Sequence, residues 1–205
     1  KTAKNLMGTS SMVEQYTADE LNQYESRTVP AKVLVTGEAA TNSTVSVRLD
    51  DSIAKVANRR GEYFWQVLDA DNAAAVVATT NLQVRAFVTV VEGTNTNSLV
   101  RTETRQEIVP QTPEVFTWDV DGNLTSDGLW TNSWDANNRM VLAESRSDVP
   151  DVFKKRLSFQ YDSMGRRIAK RVESGYSDDT YNTTNSTTYI WDGWDIVAQI
   201  RSQPS

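Results

Sequence analysis

Cysteine and histidine are both missing from the 205 residues of this chain. Without cysteine there is no disulfide framework and no thiolate nucleophile. Without histidine the chain loses the commonest metal ligand and the usual general base, so neither a Ser-His-Asp nor a Cys-His site can form within it. Long hydrophobic runs are also lacking: nothing approaches the roughly 18–20 apolar residues of a bilayer-spanning helix. Positive charge is the minority sign. Lys and Arg number 21 against 27 Asp and Glu, a net charge of −6, which argues against nucleic acid as a partner because that affinity rests on neutralising phosphates. No signal-peptide pattern opens the chain, and Lys1 is not an initiator Met, so the expectation is a piece of something longer.

What is present is a phrase repeated between Phe116 and Ile200: an aromatic residue, an Asp, two residues, then a turn former. The copies begin at Trp118-Asp119, Trp134-Asp135, Tyr161-Asp162 and Trp191-Asp192. Gly122, Asn138 and Gly165 fill the turn position of the first three, while the fourth is the weakest match. The residue types explain the order. Asp accepts hydrogen bonds from backbone amides two residues on, and Gly or Asn takes the positive φ that follows. The aromatic ends one strand and packs across the next, and Leu124, Met140 and Ile168 restart extended segments. Each phrase therefore reads as strand, turn, strand. Asp127-Gly128 adds a further hairpin signal, and the Asn-, Thr- and Ser-rich stretch Ser174–Thr188 reads as a long mobile loop joining strands Leu157–Glu173 and Thr188–Ile200.

In these residues the chain resembles the YD repeats of Rhs-type proteins, a group that includes bacterial toxin shells and the teneurins. Phe116-Thr-Trp-Asp-Val-Asp-Gly-Asn-Leu-Thr, Trp134-Asp-Ala-Asn-Asn-Arg-Met, Leu157-Ser-Phe-Gln-Tyr-Asp-Ser-Met-Gly-Arg-Arg-Ile and Tyr189-Ile-Trp-Asp-Gly-Trp-Asp follow that pattern in order. Trp stands for Tyr in three copies. The resemblance implies a spiral of β-hairpins forming the wall of a secreted or surface-displayed bacterial shell. Its partners would be neighbouring repeats of the parent protein or another copy, with an encapsulated polypeptide or a surface glycan as further possibilities.

Upstream, residues 1–29 read as a lead-in with a short YD-like strand: fraying is expected over 1–15, and Tyr16–Tyr24, with Tyr, Asp and Asn at spacings like those of the repeat phrase, as a short turn running into an extended segment. Residues 30–112 alternate apolar and polar in short runs around Val33/Val35, Val45/Val47/Leu49, Tyr63/Trp65/Val67 and Leu82 to Val90, with Gly37 stopping the first run. That pattern predicts an immunoglobulin-like β-sandwich, inserted before the repeat region of residues 113–205. The expected fold is thus all-β, and no stretch carries a sustained 3.6-residue period.

The candidate chemistry is thin. Asp119-Val-Asp-Gly-Asn123 has the look of a calcium loop, but Leu124 and Trp130 stand where an EF-hand needs Gly and Glu. Carboxylate pairs such as Asp50-Asp51, Asp69/Asp71 and Asp178-Asp179 sit in turn-like contexts. No catalytic residue, cofactor or metal site is assigned, and the chain is not expected to be an enzyme. The alternative to a structural role is a carbohydrate-binding sandwich that uses Tyr63, Phe64 and Trp65 as its stacking surface.

Overall fold

A computed structural model describes residues 12–92 and 95–202; the fraying expected over residues 1–15 falls largely outside these. The described chain is all-β, with no α-helix and one single-turn 3-10 segment, Asp151–Phe153. It divides into two compact units. One holds Val29–Thr112, and the other combines Gln15–Thr28 with Pro113–Ser205.

The second unit begins with a hairpin of β1 (Tyr16–Ala18) and β2 (Tyr24–Arg27). The chain then leaves for the first unit: β3 (Lys32–Glu38), β4 (Thr44–Leu49), β5 (Lys55–Val56), β6 (Asn58–Arg60), β7 (Tyr63–Asp69), β8 (Val77–Glu92) and β9 (Asn95–Val109). Here a three-stranded sheet β3-β7-β6 faces a four-stranded sheet β5-β4-β8-β9. The period-two pattern dictates this packing, because Val33 and Val35, Val45 and Val47, Phe64 and Leu68, and Leu82 and Val84 turn alternate side chains into one shared core. Gly37 does not stop β3, which runs on to Glu38; a Cβ there would lie 2.6 Å from the Phe64 ring, so the strand needs a residue without one.

The two ends of this sandwich are fastened together. Val29 N donates to Thr112 Oγ1 at 3.0 Å, and the buried Asn72 amide donates to the carbonyls of Val29 and Pro110 at 3.3 and 2.8 Å. The return strand β10 (Glu114–Val115) then pairs antiparallel with β2, Arg27 opposite Glu114. The sandwich is therefore an insertion into one strand pair of the other unit.

Eight strands follow, each paired with the next: β11 (Thr117–Trp118), β12 (Leu124–Ser126), β13 (Trp130–Trp134), β14 (Met140–Ser145), β15 (Arg156–Tyr161), β16 (Arg167–Ser177), β17 (Thr180–Asp192) and β18 (Asp195–Ser202). Two expectations need correction here. Residues 157–173 are not one strand, since the Asp162–Gly165 turn divides them. Nor is Ser174–Thr188 a loop: β16 and β17 continue through it to Ser177 opposite Thr180, closed by Asp178 and Asp179, both at positive φ. The segment has loop composition but strand chemistry. Its Thr residues are β-branched, Tyr176 and Tyr181 meet edge-on across the strands at 4.9 Å, and Lys154 lies over the Tyr176 ring.

Little of this unit is a core. Among its described apolar residues only Ala143 and Val149 are buried, so its order rests on the backbone ladder and on the contacts between successive phrases.

Candidate functional site

The phrase folds into one loop, built four times. In each copy the Asp Oδ1 accepts two backbone amides, from the residues two and four positions on. Leu21 and Gln23 donate to Asp19, Asp121 and Asn123 to Asp119, Asn137 and Arg139 to Asp135, and Met164 and Arg166 to Asp162, all at 2.8–3.0 Å. The residue three positions on bends back, its amide donating to the Asp carbonyl at 2.9–3.2 Å. That residue is Asn22, Gly122, Asn138 or Gly165, with φ of 61°, 84°, 56° and 82°, the left-handed region these two residue types tolerate best. The copy at Asp19 lies in the Tyr16–Tyr24 segment, whose Tyr, Asp and Asn stand at spacings like those of the phrase although Ala18 occupies the aromatic position. The copy at Asp192 is not this loop at all: Asp192 pairs directly with Asp195 around Gly193 and Trp194.

These hydrogen bonds set the electrostatics of the loops. Asp119 is held below the ordinary carboxylate range, mainly by the Asn123 side chain and amide, and Asp135 likewise, mainly by the Arg139 guanidinium. At Asp162, burial pulls upward, but the Arg166 side chain and the loop amides outweigh it and the net direction is down.

A second pattern links one phrase to the next. The aromatic before each Asp aims its polar atom at a carbonyl of the preceding phrase, and that carbonyl is always the one five residues past the preceding Asp. Trp118 Nε1 donates to Tyr24 O, Trp134 Nε1 to Leu124 O, Tyr161 Oη to Met140 O and Trp191 Nε1 to Arg167 O, at 2.8–3.0 Å. Trp and Tyr are interchangeable here because each carries one donor at the far end of a flat apolar ring. The register places Trp134, Tyr161 and Trp191 on the same face of the sheet. They are half-buried rather than internal.

The side chain four positions past the Asp reaches the other way, to the next turn. Asn123 Nδ2 donates to Asn138 Oδ1 at 2.9 Å, Arg139 Nη1 to Asp162 O at 3.2 Å, and Arg166 Nη1 to the Gly193 carbonyl. Arg139 and Arg166 also lie over the rings of Tyr161 and Trp191. The loops at Asp119, Asp135 and Asp162 are thus each tied backward through an aromatic donor and forward through an amide or guanidinium. This coupling was legible only in part, since the residue types were visible and their partners, 10 to 94 residues away, were not.

The other sequence candidates divide. Tyr63 is exposed and Trp65 partly so, while Phe64 is buried in the sandwich core, so the three do not share a surface. A cavity of about 550 Å³ opens beside Phe64, Val84 and Ala86. Of its charged rim, Arg105 is engaged by Glu103 at 2.8 Å and by Thr36 O at 3.0 Å. Asp119, suspected of holding calcium, has both carboxylate oxygens occupied by loop donors. Among the described residues no group of three acidic side chains is placed to hold a metal, and no helix is long and apolar enough to cross a membrane.

Comparison with known proteins gives one informative likeness. The chain is 27% identical over 110 residues, 53% of its length, to the tRNA3(Ser)-specific nuclease WapA of Bacillus spizizenii. It spans about 4% of that relative's length. No protein-family model matches the chain.

Proposed function

We propose that this chain is a non-catalytic structural segment of a secreted or cell-surface Rhs/YD-repeat protein, part of a hairpin wall that encloses or presents a polypeptide. The observation that carries the reading is the two-way coupling of successive phrases. A donor to the carbonyl behind and an arm to the turn ahead make an array that extends by addition of like units. The likeness to a fragment of WapA agrees with it, and nuclease activity is said of that relative alone. At the N-terminal end of the array, Phe116 N donates to Glu25 O and Trp118 reaches Tyr24 O, so β11 is backed by the β1–β2 hairpin. At the other end β18 is an outer strand, with Ile196, Val197 and Ile200 about half exposed. An open, apolar strand edge is a template for another strand, and the partner we assign to it is a neighbouring repeat or a second copy.

Sedimentation equilibrium tests this reading. The isolated chain is expected to self-associate with rising concentration, and Val197→Lys with Ile200→Lys to abolish the association. A chain that stays monomeric at every concentration would sink the open-edge reading. Cleavage of tRNA or of a glycan, lost on a single carboxylate substitution, would sink the non-catalytic one.

A further inference from the structure

In the sandwich unit, the inward positions of β9 break the rule that fills the rest of the core. Register places Leu99 opposite Val88, Arg101 opposite Ala86, Glu103 opposite Val84 and Arg105 opposite Leu82, and opposite residues of antiparallel strands share a face. Since Leu82, Val84 and Ala86 turn toward the core, β9 sets three charges on a face where its neighbour is apolar. Departures from a local rule that bring no packing gain mark the places where function is sought. The facing sheet has three strands against four and ends at β3, and between the two sheets lies the cleft of about 550 Å³. Phe64 and Val84, both buried, form its floor, and Ala86, Val88 and Leu99 continue its apolar wall.

The charges around this cleft do not all stand alike. Glu103 is paired with Arg105 at 2.8 Å, and Arg105 Nη1 crosses to the carbonyl of Thr36 on β3 at 3.0 Å. Glu38 also touches the rim. However, Val33, Val35 and Gly37 are the residues of β3 that face the core, so Glu38 shares the outward face with Leu34 and Thr36. Arg101 makes no hydrogen bond and no ion pair among the described residues. One uncompensated guanidinium is therefore left on the wall of an apolar cleft.

We infer that the cleft is a binding site for a lipophilic monocarboxylate, a free medium-chain aliphatic acid, whose carboxylate pairs with Arg101 while its hydrocarbon covers Phe64, Val84 and Val88. The volume is that of a small-molecule site, mostly apolar with one polar group to fix orientation. A guanidinium takes a carboxylate through two parallel N–H donors, and the single charge of the ligand matches the single charge left over. The other occupant of such an opening is a strand added along β3. Arg105 stands against it, because it straps the two sheets together and already occupies the Thr36 carbonyl on which that strand would pair.

Calorimetric titration of the whole chain tests this with decanoate below its micelle-forming concentration, decanol as the uncharged counterpart and hexanoate as the shorter acid. One decanoate per chain is expected to bind saturably, with decanol about tenfold weaker and hexanoate weaker by at least about tenfold. Arg101→Gln should bring decanoate down to the decanol value. Arg85→Gln, which removes the same charge from the outward face of β8, should leave it unchanged. Both arginines are exposed, and matching urea midpoints would show the variants folded; if Arg101→Gln lowered the midpoint, the decanoate–decanol difference in the unmodified chain would still decide. Equal binding of decanol or hexanoate, equal loss in the two arginine variants, uptake without saturation, or no binding would each overturn the proposal. Displacement of decanoate by an extended Val-Thr repeat peptide would make the cleft a strand acceptor and overturn it too. None of these outcomes touches the structural reading, which is decided by association at the β18 edge.

Discussion

Tyr161 isolates what the aromatic of each phrase contributes. Its ring packs on the half-buried face of the sheet and under Arg139, and its hydroxyl donates to Met140 O at 2.8 Å. Tyr161→Phe keeps the ring and removes only the donor, leaving a partly buried carbonyl without it. The expected cost is about 1 kcal/mol, the usual net value of such a hydrogen bond, and Gln160→Ala one residue away on the exposed face should cost nothing measurable. Urea midpoints of the two variants check this; equal midpoints would show that the ring alone matters and that the backward tie does not hold the register. Gly122 makes the complementary case for the turn. At φ 84° a β-branched side chain is strained, so Gly122→Val should lower stability by about 1–3 kcal/mol, and an unchanged midpoint would refute the turn's role.

The loop is the natural unit at the scale of an element, and its signature is acid sensitivity. Asp119, Asp135 and Asp162 are all held below the ordinary carboxylate range in the folded chain. A depressed folded value means the stabilisation is fully present above the unfolded carboxylate value of about 4 and is lost as pH falls through the lower folded values. Urea midpoints should therefore hold steady from pH 7 to about 5 and decline below about 4. A chain with Asp119→Asn, Asp135→Asn and Asp162→Asn together should start lower at pH 7 and decline less; parallel curves would mean the loop carboxylates are not the groups responsible. The same elements show what the sequence could disclose. Three of the four loops were legible, because an aromatic, an Asp and a Gly or Asn stood at fixed offsets. The loop at Asp19 was legible only as a likeness of spacing, because Ala18 hides the aromatic signal while Asn22 keeps the turn. The β16–β17 hairpin was misread as a loop because its Thr and Asn residues are polar. Alternation there is carried by Tyr176, Tyr181 and β-branched hydroxyl residues rather than by aliphatic ones, and a single sheet with no face fully buried has no apolar stripe to reveal it.

At the scale of the whole chain, the insertion is what the sequence least disclosed. Composition shifts marked residues 30–112 as an inserted segment and the Tyr16–Tyr24 spacings resemble the repeat phrase, but neither shows that Tyr16–Arg27 forms one unit with the array beyond it. That follows from pairing across the insertion, Arg27 opposite Glu114 and Ser26 opposite Val115, reinforced by the ion pair between Arg27 and the buried Glu114. Glu114 Oε1 also accepts the amide of Gly128, whose missing Cβ leaves room for that carboxylate. Both halves of the strand pair are thus complete without the sandwich, and the sandwich fastens its own ends through Val29, Asn72, Pro110 and Thr112. An insertion with adjoining ends is tolerated because the host must close only a short gap when it is absent. Excising Val29–Thr112 and joining Thr28 to Pro113 through Asn-Gly should therefore leave a chain that keeps β-type circular dichroism and unfolds in one cooperative transition. In that shortened chain Arg27→Ala should lower the urea midpoint more than Thr17→Ala, since Arg27 is paired to a carboxylate only 5% exposed whereas the Thr17 hydroxyl shares its hydrogen bond with Ser26 at the surface. Unordered circular dichroism after excision, or equal effects of the two substitutions, would mean that the β2–β10 junction depends on the sandwich and that the two units do not fold separately.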